Sequence, residues 1–117
     1  MTPGEVLLAL VEAEVVLWLD GDRLRYRVPQ GGLGEDLRAA AARCRGALVA
    51  LVRAGAVLPV DRAHWPAEAL EIAEERAGIC EYLGGLPRPA AEREAEKCAR
   101  LEHARAWLDR AAMRGAP

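Results

Sequence analysis

The sequence predicts an α+β fold: a β-hairpin near the N-terminus, helices on either side of it, and a helical hairpin at the C-terminus. Three observations predict it. Residues 15–28, VVLWLDGDRLRYRV, alternate with period two around an Asp20-Gly21 pair, the pattern of two strands joined by a tight primed turn. Apolar residues before and after this stretch recur at three- and four-residue spacing, the helical period. Gly84-Gly85 then divides the last third into two helical runs, an αα-hairpin.

In order along the chain, residues 3–13 form the first helix. Pro3 suits its first turn, Glu5 suits the positive end of the helix dipole, and Leu7, Leu10 and Val11 share one stripe that should cover the hairpin. Side chains on a strand point alternately to opposite faces. An inward set of Val15, Leu17, Leu19, Leu24, Tyr26 and Val28 therefore leaves Val16, Trp18, Arg23, Arg25 and Arg27 facing out. A lone two-stranded ribbon is marginal in water, so helices must cover its apolar face while the outer face and edges stay open to a partner. Pro29-Gln30-Gly31-Gly32 ends the second strand.

From Gly34 to Ala54 the helical period returns, with Leu37, Ala41, Cys44, Leu48, Leu51 and Val52 on one stripe. Gly46, costly inside a helix, predicts a kink or a break near residues 43–46. Residues 55–66, GAVLPVDRAHWP, are a linker by their prolines and glycine, but Val57, Leu58, Val60 and Trp65 are too apolar for it to hang free. Helices follow at 66–83 and at about 89–113, with Leu70, Ala73, Ala77 and Cys80 on the first stripe and Ala91, Ala95, Cys98, Leu101, Ala104 and Leu108 on the second. The expected organisation is a module at 1–55 and a linker with helical hairpin at 56–117, packed as one unit.

Composition limits what the chain can do. A net charge of −2 disfavours a general nucleic-acid coat. Cys44, Cys80 and Cys98 are an odd number without close pairing, as expected of free thiols in a reducing cytoplasm. The N-terminus has no basic segment before its apolar run, and Glu interrupts that run too soon for a membrane span. A thin core in a small chain favours a homodimer.

The series LLALVEAEVVLWLDGDRLRYRVPQGGL, followed by Leu37, Cys44, Leu48 and Leu51, resembles the TubC-type N-terminal docking domain of nonribosomal peptide and polyketide synthetases over about residues 4–54. The likeness lies in a leucine-rich helix, a V-x-L-x-L strand, the Gly21-Asp22-Arg23-Leu24 turn, a Pro-x-Gly exit and leucine-spaced helices. It implies an α-β-β-α(α) docking-type module, a dimer, and a hairpin that receives the acidic C-terminal peptide of a partner protein. It also implies that Arg23, Arg25 and Arg27 meet that peptide. A shorter stretch, residues 75–95, resembles a phage- or plasmid-type replication-associated motif, which keeps open a nucleic-acid-binding accessory protein of a mobile element.

No catalytic or chelating pattern stands out. The three cysteines with His64 and His103 lack any C-x-x-C or H-x-x-x-H pair, and Cys98 and His103 are badly spaced to share a helix face. Gly31-Gly32-Leu33-Gly34 lacks the Gly-Lys-Ser/Thr of a phosphate loop. Glu71, Glu74, Glu75 and Glu81 suit a solvated helix face. The expectation is a non-catalytic chain with no metal and no cofactor. Its candidate partner-binding residues are Arg23, Arg25, Arg27, Trp18 and Val16, joined to an extended acidic segment by strand addition and alternate ion pairs. Two other uses of the arginines stay open: binding phosphates beside a base stacked on Trp18, and protecting the strand edge from aggregation.

Overall fold

The computed structural model describes residues 1–115. Helix α1, Pro3–Glu12, starts with a reciprocal cap: the Glu5 amide donates to Thr2 Oγ1 at 3.1 Å and the Thr2 amide donates to Glu5 Oε1 at 2.8 Å. It buries Val6, Leu7, Leu10 and Val11. The helix closes with the Val15 amide donating to the Leu10 carbonyl and the Glu14 amide to the Val11 carbonyl, both at 3.0 Å. This is the closure that normally places glycine in the left-handed conformation. Here Glu14 holds that position, at φ 64°.

Strands β1, Val16–Asp20, and β2, Arg23–Arg27, pair antiparallel, with Leu17 opposite Tyr26, Trp18 opposite Arg25 and Leu19 opposite Leu24. Gly21 and Asp22 form the two-residue turn, one residue later than the expected Asp20-Gly21 pair, because Asp20 still pairs with Arg23 in the ladder. Gly21 has φ 63° and Asp22 does not share the positive φ, the pattern of a II′ turn, whose twist suits a hairpin. Val15 and Val28 lie just outside the ladder.

Helix α2 covers Glu35–Arg43 and α3 covers Arg45–Ala54, so the predicted break falls at Cys44, two residues before Gly46. Helix α3 packs on both strands, while α1 packs on α2, α3 and the last helix. Val6, Leu7 and Leu10 from α1, Leu17 and Leu24 from the hairpin, and Leu48 from α3 share one core.

A short 3-10 turn at Arg62–His64 leads to α4, Ala67–Tyr82, and α5, Arg88–Gly115. Along their contact α4 buries Ala69, Ala73 and Ala77, and α5 buries Ala91, Ala95 and Ala99, all at four-residue spacing. Small side chains let the two helix backbones approach closely. The turn between them requires glycine twice: a Cβ on Gly84 would stand 2.8 Å from the Cys80 carbonyl oxygen, and Gly85 has φ 68°. Beyond the seam, Leu101, Trp107 and Leu108 of α5 pack against the N-terminal core, and His103 Nε2–H donates to the Gly55 carbonyl at 2.9 Å. Among the described residues no helix is long and apolar enough to cross a membrane.

Candidate functional site

Alternation along β1 and β2 sorts the hairpin's side chains as the pattern requires. Leu24 is buried, while Arg23, Arg25 and Arg27 on the same strand are exposed. Trp18 is half-buried across from Arg25. Arg25 reaches Asp20 at 3.5 Å, a loose pair between exposed groups, and Arg53 of α3 reaches Asp22 at 3.1 Å beside the turn. Pairs this exposed contribute little and exchange readily for other partners.

Two expectations about the faces need correction. Val16, placed on the open outer face by alternation, is only 6 % exposed. It lies in a cleft whose opposite wall is α5, an arrangement that strand period cannot reveal. Tyr26 and Val28, assigned inward, remain 37 % and 40 % exposed. Tyr26 is thus only partly covered, and burial of its ring still pushes the phenol pKa up, opposed by the charge of Arg45.

The cleft holds about 650 Å³. One wall comes from Val16, Arg27 and the Val28–Gln30 exit of β2, the other from α5. Five cations and three carboxylates line it, in a chain whose net charge is −2. Each carboxylate already has a cation: Glu14 lies 3.4 Å from Arg93, Glu92 lies 3.1 Å from Arg88, and Glu96 lies 3.1 Å from Arg100. Neither Arg27 nor Arg62 has a carboxylate within ion-pair reach among the described residues.

Two of the lining arginines, Arg62 and Arg100, stack on Trp65. Trp65 is buried and its indole N–H donates to the Pro59 carbonyl at 2.7 Å. The guanidinium of Arg62 lies 5.3 Å from the ring centroid and that of Arg100 lies 5.1 Å from it. Arg100 also donates to the carbonyls of Leu58, at 3.1 Å, and Val60, at 3.4 Å. Burial pushes the Arg100 pKa below the usual arginine value; Glu96 opposes this, and the like charges of Arg27 and Arg62 add to it. Residues distant in sequence thus bring three guanidinium groups into one neighbourhood.

Sequence reasoning missed Arg62, Lys97 and Arg100. The Asp61-to-Trp65 run carries a local signal, since Asp61 caps the 3-10 turn through the Ala63 amide at 2.9 Å, but nothing local distinguishes Arg100 from the other arginines of α5. Elsewhere, His64 is exposed beside Asp61, His103 is engaged by Gly55, and burial raises the Cys98 thiol pKa. Among the described residues no three His, Cys, Asp or Glu side chains gather as a metal site.

The chain is thus a small α+β unit that presents an arginine-bearing edge strand beside a cleft lined mostly by cations. Residues 5–52, which run from α1 through the hairpin and α2 into α3, match the family model of the TubC N-terminal docking domain. The matched segment contains the whole hairpin and stops before α4 and α5. The similarity indicates a protein–protein docking role. No curated protein and no solved structure matches the chain.

Proposed function

We propose that this chain is a non-catalytic docking module that binds an extended, acidic segment of a partner protein along β2. The observation that carries the reading is the strand itself: β2 is an edge strand that buries Leu24 and exposes Arg23, Arg25 and Arg27 on its opposite face. An added peptide strand takes its register from main-chain hydrogen bonds and places every second side chain against the arginines. Trp18 supplies an apolar contact between them, and Val16 supports the end of the ladder from below. The loose Arg25–Asp20 pair yields to a partner carboxylate at little cost.

In this reading residues 1–55 form the docking unit and residues 56–117 form a fixed companion to it, of which 116 and 117 lie outside the described residues. The chain acts as a homodimer, in keeping with the exposed Tyr82 and Leu83 at the tip of the α4–α5 hairpin, and works in a reducing cytoplasm with its three thiols free. Sedimentation of the full chain tests the dimer, which a clean monomer at tens of micromolar would remove.

The docking test is a titration of a labelled peptide of alternating Asp and Val, roughly eight residues long to match the reach of residues 23–30. Micromolar binding that Arg25→Glu weakens about tenfold is the expected result. Single-stranded DNA is titrated in parallel at two salt concentrations, because both ligands lose affinity with salt and only their ranking discriminates. DNA binding lost on Arg25→Glu, with no peptide bound, overturns the docking reading in favour of nucleic acid.

A further inference from the structure

The cleft against α5 combines features that an exposed arginine ladder lacks. Arg62 is half-buried, lies over Trp65, and is not balanced by a carboxylate among the described residues. Arg27 brings a second unbalanced guanidinium from the end of β2, and Arg100 adds a third whose partner is Glu96. Gathering like charges in a partly desolvated cleft is unfavourable until an anion joins them, and the attraction gained is larger there than at an open surface. All three lining carboxylates are already engaged, so they leave that excess standing.

We infer that the cleft is a second half of the docking site, in which Arg27 and Arg62 grip a carboxylate of the partner's acidic segment and Lys97 of α5 lines the path that leads to it. The inference rests on the docking reading above and deepens it. Position supports a peptide as the occupant: Arg27 belongs both to the ladder and to the cleft, so a strand added along β2 runs directly into the cleft as it passes Val28 and Gln30. Val16 forms apolar ground beneath that path. Residues 62 and 97 both lie outside the segment that matches the docking-domain family, so the C-terminal extension adds a selectivity of its own to the hairpin. A partner whose acidic stretch is long enough to reach past Arg27 binds better than one that ends at Arg23 and Arg25.

The test uses the full chain and two Asp-Val peptides, one of roughly eight residues and one of roughly four, the shorter covering only the first strand residues. Arg62→Gln and Lys97→Glu are compared with Arg25→Glu, and circular dichroism melts establish that each variant is folded. Lys97 serves as the second variant because Arg62 also stacks on Trp65. The expected result is that Arg62→Gln and Lys97→Glu each weaken the longer peptide, Arg62→Gln by about tenfold, and leave the shorter one unchanged. If Arg25→Glu weakens both peptides while Arg62→Gln and Lys97→Glu weaken neither, the cleft inference is overturned and the docking reading stands. If neither peptide binds the unaltered chain, both fall together.

Discussion

The guanidinium of Arg100 lies 5.1 Å from the ring centroid of Trp65, and this contact ties the linker to the longest helix of the protein. Arg100 is only 7 % exposed, yet each side of its planar group is occupied: Glu96 on its own helix, the Leu58 and Val60 carbonyls of the linker, and the indole face. The linker therefore runs past α5 along a defined path.

Arg100→Met should destabilise the fold by about 2–4 kcal/mol, because it leaves two linker carbonyls without their donor and Glu96 without its cation. Arg100→Lys should recover only part of the loss, since an ammonium cannot fork to two carbonyls and stack on a ring together. Urea denaturation followed by tryptophan fluorescence measures both. A Lys variant as stable as the original would show that charge alone holds the linker.

Glu14 occupies a left-handed position that costs a non-glycine residue roughly 1 kcal/mol or more. Glu14→Gly should raise the thermal midpoint, by up to about 1 kcal/mol of stability, because the exposed pair it forfeits with Arg93 contributes less than the relieved strain. Glu14→Val, which keeps a Cβ and adds branching, should lower it. If both substitutions lower the midpoint, the Glu14–Arg93 contact is the larger effect.

The two glycines of the α4–α5 region make a paired test. Gly84→Ala puts a methyl group 2.8 Å from a backbone oxygen that cannot swing away, and should cost about 1–3 kcal/mol. Gly78→Ala enters open space within α4 and should stabilise the helix by about 0.5–1 kcal/mol. Calorimetric melts of the two variants should move in opposite directions.

Glu5 carries the clearest acid dependence. The hydrogen bond from the Thr2 amide, helped by the Thr2 side chain, holds its pKa below the ordinary value of 4.5. A carboxylate with a depressed folded pKa stabilises the fold above its unfolded pKa, and that contribution fades as pH falls through the folded one. The stability advantage of the unaltered chain over Glu5→Gln should be full at neutral pH, shrink below 4.5, and vanish in stronger acid. A gap that persists unchanged in strong acid would mean that the cap does not depend on ionised Glu5.

Much of the fold was legible because its signals are local. Alternation from Val15 to Val28 marked the hairpin, Gly46 warned of the break that falls at Cys44, and Gly84-Gly85 marked the return between the last two helices. Alternation also sorted Leu24 from the three arginines correctly. It could not sort Val16, because burial depends on whatever crosses the strand, and the α5 wall opposite it begins some seventy residues later in the chain. Tyr26 and Val28 were misplaced for the reverse reason: a strand face is apolar by pattern, but the helices cover only part of it.

By itself, the sequence determined the identity and order of the elements and the outward commitment of Arg23, Arg25 and Arg27, since period-two and period-3.6 patterns are properties of the backbone that any reader of the chain can count. The tertiary structure alone decided that Arg27, Arg62 and Arg100 would share one neighbourhood, that Trp65 would be wedged beneath two of them, and that Glu14, Glu92 and Glu96 would already be engaged. Charges so far apart along the chain are uncorrelated until packing of the linker and α5 brings them together.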